Sequence, residues 1–182
     1  MTDAINYTFP SPLQGYENLE PLTEEKAADG KSLLNPPSDT KSSAYSSFPD
    51  PLENGRRAGF DVHIYYIPNN AGQTKFAKEL HERIRREWLA DPKGKSKVPE
   101  LRIYRFWDRP VGPHPVPMFE VNLLSPAEFG AFVPWLVINR GPLSALVHPN
   151  TVNEGEELRN HSQRAMWLGE RIPLDLELLR GL

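Results

Sequence analysis

From Phe60 onward the chain alternates. In Phe60–Ile67, Val62, Ile64 and Tyr66 are separated by Asp61, His63 and Tyr65, the period of a strand with one apolar face. Pro68-Asn69-Asn70 ends it, and Asn70 with Gln73 has the spacing of a helix N-cap pair. Phe76, Leu80, Ile84 and Trp88 then recur every fourth residue, the stripe of an amphipathic helix that Asp91-Pro92-Lys93-Gly94 should stop. Leu101–Trp107 reads as a second strand. Pro117–Leu124 reads as a third, with Phe119, Val121 and Leu123 on one face and Met118, Glu120 and Asn122 on the other. Ser125-Pro126-Ala127-Glu128 predicts a helix start with Ser as cap, Pro at the first helical position and Glu completing a capping box. Phe129, Phe132, Val133, Leu136 and Val137 are its expected buried face, and Gly141 its stop. Leu143–Val147 is a fourth strand. A last short helix is expected from Asn160 or His161, carrying Ala165 and Leu168 to Gly169.

That order predicts an α+β domain of the ferredoxin-like split βαββαβ type, with helices on one face of the sheet. Strands should lie in the order fourth, first, third, second, all antiparallel. The helix-free face then needs a cover, most simply a second copy of the sheet, so a homodimer is expected.

The first 59 residues carry no such periodicity. They hold 7 of the 19 prolines, and nine acids against five bases. A segment of that composition buries too little apolar area to offset its ordering entropy. The expected organisation is a disordered Pro-, Ser- and acid-rich tail over 1–59 and one domain over 60–182. With a net charge of −3, the chain has no basic footprint for nucleic acid. No apolar run approaches a membrane span, and Met1–Pro12 does not read as a signal peptide, so a cytoplasmic location is expected. The absence of cysteine leaves His, Asp and Glu as the available metal ligands.

Strand parity gives the histidines their interest. His63 lies opposite the apolar face of the first strand, with Asp61 and Tyr65 beside it. Glu120 occupies the equivalent face of the neighbouring third strand. With Ala145 and Val147 facing the helices, His148 projects to the same side as His63. Two imidazoles and a carboxylate placed this way have the composition of a non-haem Fe(II) facial triad. They are equally compatible with a packed, hydrogen-bonded polar face. His114, in Gly112-Pro113-His114-Pro115, reaches that face only if its turn folds over it. His81, on a plain amphipathic helix, reads as a surface residue.

Four stretches carry a resemblance. FDVHIYY at 60–66, WDRPVGPHPVPMFEV at 107–121, VPWLVINRGPLSALVHPNT at 133–151 and HSQRAMWLGERIPLDL at 161–176 resemble, in that order, the DOPA 4,5-dioxygenase family of fungi and bacteria. The resemblance implies a dimeric α+β barrel that opens the ring of a catechol such as 3,4-dihydroxyphenylalanine beside its hydroxyls, using non-haem Fe(II) and O2. It places His63, His114 and His148 on iron, with Glu120 as the fallback carboxylate. His161 becomes an acid/base or substrate-orienting group, and Tyr65 a hydrogen-bond donor to an oxygen-derived intermediate. Arg140 and Arg102 are candidates to hold a substrate carboxylate, against the favoured reading of each as a surface residue. Two departures stand out: some relatives begin the first motif with two histidines where this chain has Asp61, and Asn160 stands where an acid often precedes the last histidine. The alternatives are a family member acting on another catechol and a non-catalytic dimeric binding or scaffold module.

Overall fold

The structure, a computed structural model, describes residues 7–54, 59–88, 101–153 and 155–180. The chain divides into two units, Met1–Lys41 and Ser42–Leu182. In the first, an antiparallel bridge between Lys26 and Leu33 closes a turn whose amides, Lys31 and Ser32, donate to Asp29 Oδ1. The second unit starts before the boundary that hydropathy places at 59/60. Phe48 is buried with its ring edge-on to Phe60, and Leu52 bridges to Thr151.

Among the described residues of this second unit, five strands and three α-helices follow one another: β1 Phe60–Tyr65, α1 Ala71–Trp88, β2 Leu101–Ile103, β3 Met118–Leu123, α2 Pro126–Asn139, β4 Ser144–Pro149, α3 Glu157–His161 and β5 Met166–Leu168. The sheet order is β2-β3-β1-β4-β5, and every pairing is antiparallel. The first four strands lie in the order the element sequence predicts; β5 extends the sheet beyond a four-stranded ferredoxin-like one.

One face is the core. Val62, Ile64, Phe119, Val121, Ala145 and Val147 project from the strands onto Leu80 and Ile84 of α1 and Phe132 and Leu136 of α2. Helix α1 begins as its cap pair predicts, with Asn70 Oδ1 accepting from Gln73 N at 3.0 Å. Its expected stop at Asp91–Gly94 lies outside the described residues. Helix α2 opens with the full Ser125/Glu128 capping box and ends before Gly141, at φ +55°. Val137, expected in its buried face, is exposed, while Trp135 packs on the core instead. No helix among the described residues is long and apolar enough to cross a membrane.

Two expectations are corrected. The chain extends where a last helix is expected: α3 stops at His161, and Met166–Leu168 pair with Val147, Leu146 and Ala145 of β4. Within β5, Trp167 joins one face and Leu168 the other, a period-two signal too short to read beside a helical alternative. The second strand is also shorter than expected. After Ile103, Tyr104 N bonds to Glu120 O, but Trp107 N bonds to Met118 O. The outer strand thus spends one more residue than β3 between these bonds, a β-bulge. It sends Phe106 to the helix side and Trp107 to the opposite face.

That opposite face is not bare. Tyr65, Met118 and Leu146 are covered by Trp107, Val111 and Val116 from the proline-rich segment and by Ala165, Trp167, Ile172 and Leu174. This part of the helix-free face is covered by segments of the chain itself.

Candidate metal centre

The sheet register does most of the assembly. Across β1 and β3, His63 stands opposite Glu120 and Asp61 opposite Asn122; across β1 and β4, Asp61 stands opposite His148. All five point away from the helices, as strand parity requires. His63 Nε2 and His148 Nε2 lie 3.0 Å apart, and His63 Nδ1 lies 3.9 Å from Glu120 Oε2. The Asn122 amide donates to Asp61 Oδ1 and, at 2.7 Å, to Glu120 Oε1, so one side chain steadies both carboxylates.

The two remaining site histidines arrive from loop and helix. The turn carrying His114 folds over the sheet and is pinned by reciprocal backbone bonds between Val111 and His114, 3.2 and 3.0 Å. This places the His114 ring centroid 4.1 Å from that of His63, with its Nδ1 2.7 Å from the Tyr65 hydroxyl. His161, at the end of α3, lies with its ring 3.8 Å from that of His148 and 6.2 Å from that of His63. All four imidazoles are buried.

Backbone carbonyls fix the tautomers of two of them. A backbone carbonyl only accepts, so Nδ1 of His148 donates to Pro149 O (3.1 Å) and Nδ1 of His161 donates to Glu157 O (2.9 Å). Each neutral ring then presents a bare Nε2 lone pair, the arrangement metal-ligating histidines use. Without an ion, the proton between His63 and His148 must sit on His63 Nε2. His63 Nδ1 is then a buried lone pair with no hydrogen-bond partner. An unsatisfied buried nitrogen among lone pairs is costly unless a cation serves it.

Electrostatics agree. Burial pushes His63, His148 and His161 below the ordinary imidazole range, and His114 down to about 3. The His63–Glu120 contact is therefore not an ion pair, because the imidazole is neutral. Burial, then the neighbouring Glu120 charge, raises the Asp61 carboxyl to about 7. Burial likewise raises Glu120. The neutral imidazoles already present lone pairs to a cation, whereas a carboxyl raised to about 7 gives up its proton when a divalent cation takes it as a ligand.

Two donor sets close enough to hold one ion exist among the described residues: His63, His114 and His161, and Asp61, His63 and His148, each within 4.8 Å of one another. His63 belongs to both. Glu120 belongs to neither. Parity put Asp61 on the correct face, but the choice between it and Glu120 depends on register against His148. Of the arginines expected near a substrate, Arg140 is turned to the carbonyl of Leu143 (2.6 Å), and Arg102 pairs across β2 and β3 with Asn122. His81 lies apart from the cluster, half-buried with its ring edge-on to Phe119 and its Nε2 donating to Tyr104 O at 2.9 Å.

Known proteins share this arrangement of sequence. Residues 60–178 match the model of the Dopa 4,5-dioxygenase family. A Botryotinia fuckeliana protein named "Uncharacterized 21.2 kDa protein" is 61% identical over 186 aligned positions, spanning all of this chain and 96% of its own. DOPA 4,5-dioxygenase of Amanita muscaria is 40% identical over 114 residues, 63% of this chain but 46% of its own length. The crystal structure of a "putative dioxygenase" from Nostoc punctiforme superposes with a TM-score of 0.54 at 27% identity, covering 77% of this chain and 96% of that one. With the family model spanning the sheet and all four clustered histidines, this chain belongs to the Dopa 4,5-dioxygenase family.

Proposed function

We propose that this protein is an extradiol dioxygenase that opens the ring of a catechol such as 3,4-dihydroxyphenylalanine with O2, using a non-haem Fe(II) held beside His63. The observation that supports this most directly is the convergence of four buried imidazoles, two with Nε2 lone pairs aimed by backbone carbonyls. Of the two donor sets, Asp61, His63 and His148 is the two-histidine, one-carboxylate composition that leaves open positions on non-haem iron. It replaces Glu120 with Asp61 in the ligand set and keeps His63 and His148.

When bound, the ion supplies Lewis acidity toward the catechol oxygens and the reducing capacity dioxygen activation needs. The chain's own groups do the rest. His161 Nε2, unprotonated and facing the cluster, is placed to take a catechol proton near neutral pH. His114 and Tyr65 form a second hydrogen-bonded pair, with the His114 ring 5.9 Å from that of His161. Tyr65 cannot ionise readily, since burial raises its phenol above the ordinary range, so it serves as a hydrogen-bond donor. Trp107, Val111 and Trp167 cover the histidine face and restrict water.

A second reading exchanges roles: His63, His114 and His161 bind the ion and His148 takes the proton. Asp61→Asn separates the two, because it lowers iron affinity under the first reading and spares it under the second. The activity itself is tested by loading the protein with Fe(II) anaerobically, adding 3,4-dihydroxyphenylalanine and air, and following O2 uptake with the yellow ring-opened product. The proposal expects both signals in equal amounts. Iron-loaded protein that consumes no O2 with any of a panel of catechols would contradict it.

A further inference from the structure

Two cavities adjoin the histidines and share His63, Tyr104 and Glu120 in their linings. Their chemistry differs. One, of about 240 Å³, is bounded by Asp61, Asn122, Asn150 and Glu157 beside His148 and His161. Its carboxylates and amides make a poor seat for the face of an electron-rich ring. The other, of about 340 Å³, has walls of Trp107, Val111, Pro113 and Met118 beside His63 and His114, the apolar lining with few polar groups that small aromatic ligands take. Among the described residues lining either cavity, Arg105 is the one Lys or Arg, and it lines the apolar one.

We propose that Arg105 sets substrate class: it holds the anionic tail of an aromatic carboxylate whose catechol ring lies in the apolar cavity, hydroxyls toward His63. This rests on the ring-cleaving reading above and adds to it which catechols are selected. The bulge after Ile103 brings Trp107 to the histidine face, and the Arg105 guanidinium lies 4.4 Å from the centre of its ring. Stacking on an aromatic face holds the guanidinium plane while its N–H edge remains available for two-pronged contact with a carboxylate. Among the described residues no carboxylate takes up that edge. Arg140 is already turned to a backbone carbonyl and cannot serve.

The test is calorimetric titration of the full-length protein, held anaerobic so that no turnover intervenes. The probes are 3-(3,4-dihydroxyphenyl)propionate and the neutral 4-ethylcatechol. The acid should bind on the order of tenfold tighter, the scale of one charge-assisted contact at a partly exposed site. Arg105→Gln should erase that difference by weakening the acid alone, and Arg105→Lys should restore part of it. Arg105 is exposed, so both variants should melt with the wild type. Equal binding of the two probes, no binding of either, or an Arg105→Gln variant that weakens both alike would overturn the proposal. The two readings fail separately. Arg105-dependent binding of an acid that is never ring-opened leaves the clamp standing and removes the dioxygenase. Ring opening of both probes with no dependence on Arg105 does the reverse.

Discussion

His63 is the residue through which both possible donor sets run, and its Nδ1 has no hydrogen-bond partner of its own. Its replacement should therefore be the most damaging change to the site: His63→Ala is expected to abolish stoichiometric iron binding, read by metal analysis after anaerobic loading. Tyr65→Phe deletes the hydroxyl 2.7 Å from His114 Nδ1 but keeps the packing on Trp167. Turnover should fall roughly 10- to 100-fold, the range of a lost proton-transfer or hydrogen-bonding group, with iron content unchanged. Turnover equal to wild type would remove Tyr65 from the mechanism. At this scale the sequence was informative wherever parity alone decides: His63, Tyr65, Glu120 and His148 all lie on the face their strand positions imply. It was silent where tertiary register decides. Asp61 stands in the donor set because it pairs with His148 across β1 and β4, and Arg105 reaches the cavity because a bulge shifts the strand after Ile103.

Elements hold these residues in place with unequal tolerance. Gly59, just before β1, has φ +71°, and a Cβ there would sit 2.0 Å from Leu123 O, a backbone atom. Gly130, inside α2, has open space around it. The same substitution should then have opposite signs. Gly59→Ala should destabilise by more than ~2 kcal/mol, through backbone strain that must displace β1 or β3. Gly130→Ala should stabilise by about 0.5–1 kcal/mol through helix propensity. Urea midpoints measure both; a Gly59→Ala variant as stable as wild type would contradict the close approach. The helices were readable because they combine a four-residue stripe with explicit caps. Strand β5 was not, because three residues cannot establish a period and Asn160–Leu168 offers a helical alternative.

For the molecule as a whole, the buried histidines predict acid sensitivity when no metal is bound. Their folded pKa values lie below the ordinary 6.5, His114 at about 3. As pH falls below 6.5 the unfolded chain takes up protons the folded chain refuses, so stability drops across that window. Asp61 runs the other way: raised to about 7, its contribution is greatest below the ordinary 3.8 and fades as pH rises through 7. Glu120, also raised by burial, acts in the same sense as Asp61, and two carboxyls set against four imidazoles leave a net loss on acidification. Unfolding midpoints with chelator present should fall between pH 7 and pH 5; a flat profile would mean the imidazoles are not held neutral.

The central claim is that separate strands, a folded-over turn and a short helix build one ion site around His63. Anaerobic calorimetric titration of the metal-free protein with Fe(II), for the wild type beside His63→Ala, tests it most directly. The wild type should bind one ion per chain, and the variant should show no saturable binding. Unsaturable uptake by the wild type, or equal stoichiometric binding by both proteins, would contradict it.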